Sequence, residues 1–262
     1  MKVRSADGTE IAFESRGSGS AVVLVGGGLS DRLSADPLAS LLEPHFTVFT
    51  YDRRGRGESG DTPPYRVERE VEDLAAVIHA AGGSVMVFGH SSGGALVLEA
   101  ASRGLAFTRI ALYEPPFIVD DSRPPLPRDY EARLDELVSS GRRGEAVEYF
   151  FSSGPQVPAA AIARMRASPA WPRMEGMAHT IVYDSRIMGD GMDRRPLAGR
   201  CTSVTVPVLV VDGGASPAWL RSAAAAVTRA LVNARSRTLE GQTHGFSPPV
   251  LAPVLEEFFS GT

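Results

Sequence analysis

Val85-Met86-Val87-Phe88-Gly89-His90-Ser91-Ser92-Gly93-Gly94-Ala95-Leu96-Val97-Leu98-Glu99-Ala100-Ala101 passes without a break from an apolar, β-branched run into a helix of small residues. Gly89-His90-Ser91-Ser92-Gly93 sits at the junction, which is the context of a strand-to-helix turn so sharp that it leaves the serine hydroxyl exposed. Such a turn strains the serine backbone, and glycines at 89 and 93 remove side chains that would collide. The helix starting behind Ser91 aims N–H groups, that of Ser92 among them, at developing negative charge. Ser91 is therefore the candidate nucleophile.

Outward from this turn, short runs at Val22–Val25, Phe46–Tyr51 and Ile110–Tyr113 also read as buried strands. Amphipathic segments separate them: Ala35–Leu42, Val67–Ala80 and Gly94–Ala101. Alternating strand and helix predicts a mostly parallel sheet with helices on both faces. The rhythm stops after Tyr113 and resumes at Val206–Val211, then a helix near Ala218–Leu231, a strand near Ser236–Leu239 and a helix from Pro249 to Phe259. Helix-like pieces fill the gap (Tyr130–Val138, Gly144–Phe151, Ala159–Arg166, Ala170–Met188), separated by Pro and Gly. The division expected is a core of residues 1–116 and 206–262, with 117–205 an inserted helical cap over the strand ends. Met165, Met174, Met177, Met188 and Met192 fall in that insertion, together with Trp171, Phe150 and Phe151. They suit either an adaptable pocket wall or the core of a helical lobe. Leu29, His90, Trp171, Met174 and Met177 are the substrate-binding candidates.

At 262 residues with 43% hydrophobic side chains, the chain can bury a large core without disulfide or metal staples. Lys and Arg number 27 against 31 Asp and Glu, a net charge of -4 without long basic runs, so nucleic acid and anionic lipid are not expected partners. Cys201 is the single cysteine and no Cys/His cluster has metal-ligand spacing, so no metal site is expected and a reducing cytoplasm fits. No run reaches a membrane span, and Met1 to Gly8 lacks the apolar stretch of a signal peptide.

Four landmarks follow in order: Gly26-Gly27-Gly28 after a strand, Tyr51-Asp52-Arg53-Arg54-Gly55-Arg56-Gly57-Glu58-Ser59, the turn at Ser91, and Leu239-Glu240-Gly241-Gln242-Thr243-His244 after the last strand. Together they resemble the α/β-hydrolase fold family over nearly the whole chain. That resemblance implies an eight-stranded, mostly parallel sheet flanked by helices, with a helical cap inserted in the second half. Relatives begin the first of these turns with His-Gly and use a backbone N–H there for the oxyanion. Gly26 takes the His position here, and Gly28 can still donate with Ser92 because an N–H needs no side chain. The three glycines lack the Lys-Ser/Thr ending of a phosphate-binding P-loop. Gly55-Arg56-Gly57-Glu58-Ser59-Gly60 matches the dinucleotide fingerprint, but Asp61-Thr62-Pro63-Pro64 delays the helix that fingerprint must open.

Of five histidines, His45 and His79 read as structural, His90 lies inside the turn and His179 in the insertion. Only His244 follows the last strand, as the family order Ser, acid, His requires. For the acid, relatives commonly carry Asp beyond the strand at Val206–Val211, where this chain has Ser216. Two carboxylates remain at strand ends: Glu114, where haloalkane dehalogenases carry theirs, and Asp212 as the alternative. The resemblance implies a serine hydrolase of an ester, lactone or thioester, without metal or organic cofactor. Acyl transfer, perhydrolysis, C–C hydrolysis, elimination and a non-catalytic small-molecule receptor stay open on the same scaffold. Whether the chain is a monomer or a homo-oligomer is not legible.

Overall fold

The computed structural model describes residues 1–189 and 197–261, so Met192 lies outside the described residues. Eight strands form one sheet: β1 (Lys2–Arg4), β2 (Glu10–Gly17), β3 (Ala21–Val25), β4 (Thr47–Tyr51), β5 (Met86–His90), β6 (Arg109–Tyr113), β7 (Val208–Gly213) and β8 (Ala234–Leu239). Their order is β1-β2-β4-β3-β5-β6-β7-β8. β1 and β2 pair antiparallel, as do β2 and β4, and every other pairing is parallel. The central strands are runs of Val, Leu and Ile because helices cover both of their faces. In β2 the apolar pattern is interrupted by Glu10, Glu14 and Arg16, so its register emerges only through pairing with Phe49 and Tyr51 of β4.

Helices α1 (Asp36–Leu42) and α11 (Pro248–Ser260) pack on one face through Leu38, Leu42, Leu251 and Leu255. On the other face lie α2 (Val67–Ala80), α3 (Ser92–Ser102) and α10 (Ala218–Ala230). α2 presents Leu74, Val77 and Ile78 at helical spacing, while Pro and a left-handed Gly261 delimit α11.

Between β6 and β7 run α4 (Tyr130–Ser139), α5 (Arg143–Ser153), α6 (Ala159–Arg166), α7 (Trp171–Gly176), α8 (Ile181–Met188) and α9 (Ala198–Cys201). The single segment expected over Ala170–Met188 is broken after Gly176 by a 3-10 turn at Ala178–Thr180. A separate apolar cluster around Leu134, Val147, Trp171 and Ile181 holds most of this segment together. Its last part differs, since Ile187, Met188, Leu197 and Cys201 join the main core beside α3. No helix among the described residues is long and apolar enough to cross a membrane.

β3 has β4 on one side and β5 on the other, so the loops leaving β3 and β5 diverge around a crevice at their C-terminal ends. Open α/β sheets bind ligands at such switch points. This topology sets Gly26-Gly27-Gly28 against Ser91.

Candidate active site

Ser91 sits between β5 and α3 with φ 55 and ψ −128, a conformation that L-residues rarely adopt. The glycines around it answer close approaches. A Cβ on Gly93 would lie 2.4 Å from the Val25 carbonyl oxygen, and one on Gly89 would lie 2.6 Å from Gly94 Cα. The Ser91 N–H donates to the Tyr113 carbonyl at 2.9 Å, tying the turn to the end of β6.

His244 lies in the loop between β8 and α11, and its Nε2 is 3.0 Å from Ser91 Oγ. Its Nδ1 is 2.7 Å from Glu114 Oε2. With Nδ1–H donating to the carboxylate, Nε2 is left to accept the serine proton. The loop is held from below: Tyr113 Oη donates to the Thr243 carbonyl at 2.7 Å, and His90 Nε2–H to the His244 carbonyl at 3.0 Å. Loss of hydration and the neighbouring His244 lower the His90 pKa to about 3, so His90 serves this contact as a neutral imidazole.

Glu114 directly follows β6 at φ 45 and is fully buried. Its Oε1 accepts the Gly213 N–H at 2.8 Å, which aims Oε2 at His244. Asp212 instead accepts from Thr238 Oγ1 at 2.8 Å, and burial raises its pKa. Ser216, at the position where relatives carry an Asp, is a buried hydroxyl without a hydrogen-bond partner among the described residues.

Gly27 runs so close to the nucleophile that a Cβ there would lie 2.8 Å from Ser91 Cβ. A three-glycine turn needs outside support, and two arginines supply it. Arg53 Nη1 donates to the Gly26 carbonyl at 3.3 Å, and Arg56 Nη1 to that of Gly27. Ser30 Oγ also donates to Gly27, at 2.7 Å. Asp184 of α8 binds both guanidiniums, at 2.8 and 2.9 Å, and accepts from Ser92 Oγ at 2.8 Å. Burial would raise the Asp184 pKa, but Arg56 and Arg53 hold it below the usual carboxylate range. Glu70 completes the set with two hydrogen bonds from Arg53, at 2.7 and 2.9 Å. This buried network joins the three-glycine turn, the first residue of α3 and the inserted segment, and the sequence alone assigns no role to the side chains of Arg53, Arg56, Glu70 and Asp184.

A cavity of about 430 Å³ opens onto Ser91, Ser92, Gly28, His90 and His244. Four of the substrate-binding candidates lie outside its lining. Leu29, Trp171 and Met177 belong to the apolar cluster of the inserted segment, and Met174 packs against it. Trp171 turns away to donate its indole N–H to Glu175 at 2.8 Å. The wall is built instead by Phe150, Phe151, Ile181, Met188, Trp219 and Leu220. Composition revealed an apolar helical segment without revealing which face of each helix looks inward. At Gly55–Gly60 no helix opens before Val67, so the dinucleotide pattern lacks its phosphate-binding terminus.

Fold and site define a class, and a model of the alpha/beta hydrolase family matches residues 22–256: the chain belongs to that family and is an enzyme. Among solved structures, an alpha/beta hydrolase from Sphaerobacter thermophilus is similar at 57% identity and a TM-score of 0.95, covering 99% of this chain and 100% of that one. The enol-lactonase from Burkholderia xenovorans shares the fold, with a TM-score of 0.73 at 21% identity over 99% of this chain and 98% of that one. By sequence, the 2-(acetamidomethylene)succinate hydrolase of Mesorhizobium japonicum is 28% identical over 221 residues, 82% of this chain and 77% of that protein.

Proposed function

We propose that the protein is a serine hydrolase that cleaves a small or medium acyl substrate, a carboxylic ester, lactone or thioester, through an acyl-enzyme intermediate. The observation that carries this reading is the relay from Ser91 Oγ through His244, 3.0 Å and 2.7 Å long, opening onto a cavity of about 430 Å³. His244 Nε2 takes the Ser91 proton as Oγ attacks the carbonyl carbon. The oxyanion is held by the N–H groups of Ser92 and Gly28, neither of which has an acceptor among the described residues. His244 then gives its proton to the departing alkoxide or thiolate. Water, deprotonated by the same imidazole, attacks the acyl-enzyme and releases the carboxylic acid with Ser91 restored. Glu114 keeps the imidazole in the required tautomer and stabilises its protonated form.

A cavity of about 430 Å³ lies in the range of small-molecule sites, in keeping with a substrate of modest size. Residues 117–205 serve as the cap of that site. The name of the Mesorhizobium relative, a hydrolase, supports hydrolysis rather than a receptor role. A buried lone thiol, Cys201, fits a reducing cytoplasm. Labelling with a fluorophosphonate probe followed by intact-protein mass spectrometry tests the reading. One adduct is expected, absent in Ser91→Ala, and an adduct that persists in that variant places the nucleophile elsewhere.

A further inference from the structure

Arg123, in the loop between β6 and α4, is only 5% exposed. Its Nε–H donates to the Pro124 carbonyl at 3.0 Å, Nη1 to that of Gly154 at 2.6 Å and Nη2 to that of Ser153 at 3.0 Å. Its Cζ lies 4.7 Å from the centre of the Trp219 ring. All of these partners are neutral. The other buried arginines each have a carboxylate: Arg53 has Glu70 and Asp184, Arg54 has Asp73 and Asp7, Arg56 has Asp184. Among the described residues, none pairs with Arg123. Burial lowers its pKa from the usual guanidinium value, yet arginine stays charged in proteins.

Arg123, Gly154 and Trp219 form part of the wall of the cavity that opens onto Ser91 and His244. Asp184 is the one carboxylate among the described lining residues, and two arginines already neutralise it. Among the described residues, the cavity thus holds one cation without a paired carboxylate, on an otherwise largely apolar wall. A guanidinium has five N–H groups, so three carbonyl bonds leave one N–H on each terminal nitrogen. A buried charge without a counter-charge is costly, and an anionic ligand removes that cost.

We infer that the cavity takes an acyl substrate bearing a free carboxylate away from the scissile carbonyl, and that Arg123 is the residue that pairs with it. This deepens the serine-hydrolase reading and rests on it for the chemistry, although not for the binding. The apolar wall then accommodates the carbon chain between the two carbonyl groups.

Two 4-nitrophenyl esters of equal length test the inference: the half-ester of adipic acid with its free carboxylate, and the same ester with that carboxylate capped as a primary amide. Charge-assisted pairing predicts a kcat/KM ratio in favour of the acid of at least about tenfold for the wild type. Arg123→Leu should bring the ratio near one, and Arg123→Lys should retain part of it. Arg123→Gln replaces the leucine variant if that one does not fold. A wild-type ratio near one, or a ratio that survives in Arg123→Leu while both esters slow together, overturns the inference and leaves Arg123 a staple for the carbonyls of residues 153 and 154. Calorimetry with adipate on Ser91→Ala separates this outcome from failure of the serine mechanism, because binding needs no turnover. Adipate should bind that variant at least about ten times more tightly than it binds Ser91→Ala/Arg123→Leu. Equal or undetectable binding by both overturns the inference whatever the nucleophile proves to be.

Discussion

In the proposed mechanism, Glu114 is the residue on which the relay turns. It reaches His244 from β6, and the Gly213 N–H fixes its other oxygen, so its reach is not slack. Without the carboxylate the imidazole can take the wrong tautomer, which costs related triads up to about 10⁴ in kcat. Glu114→Gln should lose at least roughly a hundredfold in kcat while remaining folded, and Asp212→Asn, whose carboxylate faces Thr238, should lose much less. His90 supplies a pH prediction. Its pKa is about 3 in the folded protein against 6.5 ordinarily, so between those values the unfolded chain binds the proton and stability falls as the pH drops. Melting curves at pH 7 and pH 5 should show a smaller loss of Tm for His90→Gln than for the wild type; an equal loss shifts the effect to other groups. Ser91 and His244 were legible because a Gly-x-Ser-x-Gly turn and a histidine after the last strand are local signals. For the acid, the resemblance points to Glu114 with Asp212 as the alternative, and it is the sheet that brings the Glu114 carboxylate to 2.7 Å from His244. Arg123 left no trace in the sequence, since the inference drawn for it rests on the neutral carbonyls that surround it in the fold.

Elements of the inserted segment divide their work between holding and lining. Phe150 of α5 faces the cavity, whereas Trp171 of α7 is buried among Leu134, Val147 and Ile181. Phe150→Ala should shift relative kcat/KM across a series of p-nitrophenyl esters toward longer acyl chains by several-fold or about 1 kcal/mol, the scale of one or two methylenes in an apolar pocket. Trp171→Ala should instead cost about 3 to 5 kcal/mol of stability in urea titrations and leave the order of acyl preference unchanged. If Trp171→Ala alone changes the preference, the lining described for this cavity is wrong. Helical pieces here were readable from Pro and Gly punctuation, yet the break after Gly176 was not, because Ala170 to Met188 keeps an apolar content compatible with one helix.

At the scale of the whole molecule, the sheet and the insertion meet through charge as well as apolar packing. Asp184 bridges Arg53, Arg56 and Ser92 with almost no exposure to water, so removing it strands two buried cations. Asp184→Ala should destabilise by about 3 to 5 kcal/mol in denaturant unfolding, and a cost under about 1 kcal/mol would mean that the network is not a tie. The six inner and later strands were legible as β-branched runs or by their place in the rhythm, while β1 and β2 carry too many charges to stand out before they pair. What unites the scales is the claim that this molecule works by passing an acyl group through Ser91. Rapid-quench mass spectrometry of the intact protein, mixed with a p-nitrophenyl ester in the first turnover, measures this directly. The mass should rise by one acyl group minus a hydrogen, peptide mapping should place it on Ser91, and Glu114→Gln should accumulate it more slowly. A first turnover that releases p-nitrophenol with no acyl-protein, or with the acyl group on another residue, would contradict the account.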